Sequence, residues 1–92
     1  MQNNITPEPN VPYTAAQAES YGDARGLLNA LIAACSAKIG NTDATDEAAR
    51  LQVEQRGYVD ERRRLTVTDN TAVARILRDY PARLQAVRGE ST

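Results

Sequence analysis

The chain predicts an all-α domain, a small three-helix bundle built on a long antiparallel helical hairpin. Apolar residues recur at helical spacing in three stretches, and each stretch opens on residues able to cap a helix. The one β-like run, Leu65-Thr-Val-Thr68, is too short to build a sheet. The expected order is a flexible polar leader over 1–12, a helical domain over 13–89 and a frayed tail over 90–92. Prolines at 7, 9 and 12 keep the leader out of a helix.

The first helix is expected over 14–39. Thr14 and Gln17 have the capping-box spacing, and Tyr13 stands where it could staple onto Ala18. Gly40 is placed to end the helix in a left-handed turn. The run Leu27–Ile39, LLNALIAACSAKI, is apolar on nearly every side and must be covered on more than one face. Its thirteen residues are too few to cross a bilayer, so the expected cover is protein. Two faces stand out. Tyr21, Ala24, Leu28, Leu31 and Cys35 follow a three-four repeat of large side chains, joined by Leu27, Ile32 and Ile39. Ala18, Gly22, Gly26, Ala30 and Ala34 recur every four residues as a small-residue ridge suited to close helix approach. Gly22 and Gly26 each weaken the helix by roughly 1 kcal/mol relative to alanine, so a break near Tyr21–Asp23 is an alternative.

The second helix is expected over 45–65, capped by Asp43 or Thr45, with Asp46 and Glu47 at its positive end. Ala44, Ala48, Leu51, Gln55, Tyr58, Arg62 and Leu65 form a heptad seam, apolar except at Gln55 and Arg62. Such a seam suits a hairpin mate for the first helix or one strand of an intermolecular coiled coil. Asp46–Arg50, Arg56–Asp60 and Asp60–Arg64 are spaced to pair on the outer face. After a connector whose Val67 packs inward, Thr68 or Asp69 caps a third helix over 69–88, lying across the hairpin. Val73, Ile76, Leu77, Tyr80, Leu84 and Val87 share its apolar face, with a kink or restart at Pro81 and an end at Gly89.

Composition restricts the function classes. The chain has 92 residues and is 41% hydrophobic, but much of that is alanine, with four tyrosines, no Phe and no Trp. Large apolar anchors are scarce at a length where one core is barely sufficient, which points to completion by dimerisation or by a partner. There is no histidine and one cysteine, Cys35, within the apolar run; no disulfide can close, and neither a metal site nor a cofactor is expected. Asn41, Asp43 and Asp46 are better read as helix-capping residues than as cation ligands. No nucleophile–base constellation and no phosphate-cradling loop is present, so no catalytic residue is assigned. The N-terminus has neither a basic nor an apolar region of a secretory signal, and a cytoplasmic location is expected.

Two readings remain. The first is a non-catalytic interaction module, an adaptor, inhibitor or accessory protein that forms a homodimer or docks on one larger protein. Small proteins of this build include ones encoded by bacteria and their phages. In that reading Leu28, Leu31, Leu51 and Tyr58 carry association and Arg62 selects the partner. The second is a small DNA-binding regulator. The segment 61–92 carries seven arginines against four carboxylates, a local net of +3 on a chain whose overall charge is −1. Arg62, Arg63, Arg64, Arg75 and Arg78 are its candidate contacts. The short glycine turn of a helix-turn-helix is missing before the third helix, and Asp79 is placed to pair with Arg75 or Arg83, so this reading ranks second. No membrane contact is expected.

Overall fold

The computed structural model describes residues 12–89. All of the expected leader except Pro12, and all of the expected tail, lie outside the described residues. Three helices follow one another: α1 (Ala15–Asn41), α2 (Thr45–Arg64) and α3 (Asn70–Arg88). The all-α bundle is therefore the architecture, with α1 packed against both other helices.

The capping box opens α1 as its spacing implied. The Gln17 amide donates to Thr14 Oγ1 at 3.0 Å, and the Thr14 amide donates to Gln17 Oε1 at 2.7 Å. The helix is continuous through Gly22 and Gly26. It also continues through Gly40, against the expected left-handed stop, and ends at the extended cap Thr42. Thr42 makes the turn without glycine: its hydroxyl accepts from the Ala44 amide at 3.2 Å and donates to Glu47 Oε1 at 2.9 Å. This arrangement also displaces the expected caps of α2. The N-cap is Ala44, which has no side-chain cap bond, and Thr45 is already the first helical residue. Asp46 and Glu47 in the first turn supply the negative charge that the exposed amides favour.

Leu65 closes α2, its amide donating to the Glu61 carbonyl at 2.9 Å. The connector to α3 is short, with Leu65 buried and Val67 half-buried. Asp69 caps α3, accepting from the Ala72 amide at 3.1 Å. The helix then runs unbroken through Pro81, so the restart allowed for there does not occur. Gly89, at φ 74°, supplies the left-handed turn that stops it. Instead of crossing the hairpin, α3 lies alongside α1 and parallel to it. Gln17 Nε2 donates to Asn70 Oδ1 at 3.0 Å near one end, and Lys38 Nζ lies beside Gly89 at the other.

The core draws on all three helices and the connector. Ala24, Leu28, Leu31 and Cys35 of α1 are fully enclosed by Leu51, Tyr58 and Leu65 on one side and Val73, Ile76 and Tyr80 on the other. These α1 residues belong to the three-four repeat of larger side chains. The small-residue ridge behaves differently. Gly22 and Gly26 are exposed, and a Cβ at either would meet nothing within 4 Å. Close approach at these two glycines is therefore not how α1 meets α2 or α3, while Ala18, Ala30 and Ala34 of the same ridge are half-buried.

Leu31→Ala should lower unfolding free energy by about 2–5 kcal/mol, because a fully enclosed leucine leaves a cavity that rigid neighbours fill only partly. Val53→Ala, on a side chain that is 65% exposed, should change stability by no more than about 0.5 kcal/mol. Urea titrations of the two variants provide the comparison.

Candidate functional site

The four apolar positions expected to carry association lie inside the domain. Leu28 and Leu31 are 0% exposed, Leu51 4% and Tyr58 5%, all in one cluster. They face the chain's own helices, so a partner could reach them only by displacing α2 or α3. The heptad seam of α2 is the intramolecular hairpin interface, and both of its polar members find partners there. Gln55 Nε2 donates to the Ile32 carbonyl at 2.9 Å and to Ser36 Oγ at 2.5 Å. Arg62 Nη1 donates to Asn29 Oδ1 at 2.7 Å. These bonds span α1 and α2 and fix the register of the hairpin.

On the other flank of the seam, Glu54 and Glu61 turn toward α3 and build a polar clasp with two tyrosines and two arginines. Tyr80 Oη donates to Glu61 Oε1 at 2.6 Å, while Arg75 donates to Glu61 Oε2 at 2.6 Å and to Tyr80 Oη at 3.2 Å. The three groups form a closed ring of hydrogen bonds. Tyr58 meets Tyr80 edge to face, with centroids 5.9 Å apart, and donates to Glu54 Oε2 at 2.7 Å. The Arg83 guanidinium lies 4.5 Å from the centre of the Tyr80 ring. Burial, then the bond to Glu54, pushes the Tyr58 phenol well above its usual value of 10; burial, then the bond to Glu61, raises Tyr80. The Cys35 thiol is likewise raised, by burial and then by Glu54, as expected of an inert core cysteine.

Sequence reading missed this clasp, although Glu54 and Glu61 stand one heptad apart beside the seam residues Tyr58 and Leu65. The clasp also accounts for Arg75, which pairs with Glu61 instead of Asp79. Asp79 is gripped by its neighbour Arg78 through two bonds, at 2.9 and 3.1 Å. Among the described residues, none of the three expected i,i+4 pairs on α2 forms; Asp60 pairs with Arg63 at 3.4 Å. Of the five arginines expected to meet nucleic acid, Arg62, Arg63, Arg75 and Arg78 thus donate within the chain.

The outward line of α1 remains, and the Arg62 guanidinium of α2 reaches its edge at Asn29. Gly22, Gly26, Asn29, Ala33, Ala37 and Gly40 are all exposed along it, at spacings of three and four. Over about 27 Å of helix, no side chain on this line is longer than asparagine. Among the described residues, no helix is long and apolar enough to cross a membrane, and no three of His, Cys, Asp and Glu stand together as metal ligands. Comparison with protein-family models, curated proteins and solved structures finds no match.

The raised phenols give a pH expectation with a definite sign. Their folded-state values lie above the free value of 10, so their stabilisation is complete below it and is lost as pH rises through and beyond it. Alkaline unfolding followed by circular dichroism should therefore coincide with tyrosinate absorbance from these two rings. Tyr58→Phe with Tyr80→Phe should flatten that dependence and lower stability at neutral pH by roughly 1–3 kcal/mol, since Glu54 and Glu61 lose their hydroxyl donors.

Proposed function

We propose that the protein is a non-catalytic interaction module that pairs with a second copy of itself through the outward face of α1. The observation that carries this reading is the exposed line of small residues from Gly22 to Gly40, all glycine or alanine except Asn29. Gly22 and Gly26 lie in the helix interior, where each costs roughly 1 kcal/mol relative to alanine. Neither relieves a clash inside the chain, because the space above both is open. A second helix seated there would give the missing side chains a purpose, since small residues let two helix backbones come close.

A second copy suits this face better than a partner of another kind. A symmetric dimer places the same patch against itself, which penalises any patch rich in one sign of charge. No residue on the line from Gly22 to Gly40 is itself charged; Asp23 and Arg25 beside it are of opposite sign, and Arg62 meets it at Asn29. One helix face buries less than the roughly 800 Å² per partner of a standard interface, a size typical of weak, transient association. Nucleic-acid binding is the weaker reading, because four of its five candidate arginines already donate within the chain.

Light scattering from the purified protein across a concentration series is the direct test. The expected result is a concentration-dependent dimer, converted to monomer by Ala33→Arg with no change in thermal melting, because Ala33 is exposed in the single chain. Gly22→Ala with Gly26→Ala should raise monomer stability by roughly 2 kcal/mol while weakening association. A wild-type protein that stays monomeric to millimolar concentration, or an Ala33→Arg dimer as tight as wild type, would overturn the reading.

A further inference from the structure

We draw no further inference here: the strongest candidate, the mixed-charge cleft of about 340 Å³ between α2 and α3 that Lys38, Arg50 and Arg83 line together with Glu47 and Glu54, carries nothing because its cations and carboxylates nearly balance and nothing in the structure shows what would occupy it.

Discussion

Enclosure of the larger-residue face of α1 is the constraint on which the rest of the structure depends. Ala24, Leu28, Leu31 and Cys35 lie on successive turns and are fully buried, and both other helices pack against α1. Neither α2 nor α3 presents a comparable set of fully enclosed side chains; among the described residues beyond α1, only Ile76 reaches the same burial. The central helix thus supplies most of the completely dehydrated apolar surface, and its neighbours supply the walls. A substitution in this line removes contacts to both walls at once, which gives small changes there large effects.

The clasp between α2 and α3 follows from this arrangement. Two helices that pack mainly on a third leave a gap between themselves. Here the gap is bridged by long side chains: Tyr58, Glu54 and Glu61 reach from α2, and Tyr80, Arg75 and Arg83 reach from α3. Tyrosine suits the position because its ring adds to the core while its hydroxyl reaches the polar rim. Arginine suits it because the guanidinium can satisfy a carboxylate and a phenol together, as Arg75 does, or stack on a ring, as Arg83 does. The scarcity of large aliphatic residues is thereby offset by aromatic and charged ones.

Much of the fold was legible in the sequence because it rests on local rules. The Thr14–Gln17 box, the Asp69 cap, the Gly89 stop and the buried three-four repeat of α1 depend on residues within a few turns of one another. What was not legible depends on competition or on distance. Gly40 could have ended α1, but Thr42 met the same need two residues later. The orientation of α3 follows from contacts such as Gln17 with Asn70, which are remote in sequence. The clasp likewise joins side chains on different helices, so Arg75 found Glu61 rather than the local Asp79.

The small-residue ridge shows how a sound pattern can mislead about a face. With about 3.6 residues per turn, a strict four-residue repeat advances about 40° round the helix at each step. The line Ala18, Gly22, Gly26, Ala30, Ala34 therefore winds from one flank of α1 across its outer side to the other flank. Of its members, Gly22 and Gly26 are exposed, while Ala18, Ala30 and Ala34 are half-buried. The line that stays outward mixes steps of three and four, and it continues through Asn29, Ala33 and Ala37 to Gly40. The apolar character of Leu27–Ile39 is then shared out: Leu28, Leu31 and Cys35 are enclosed, Leu27, Ile32 and Ile39 are half-buried against the core, and the outward positions are too small to demand cover. Dimerisation along this face would thus have to draw on close backbone approach more than on exposed hydrophobic bulk. Such an association can be reversible without leaving the single chain unfolded.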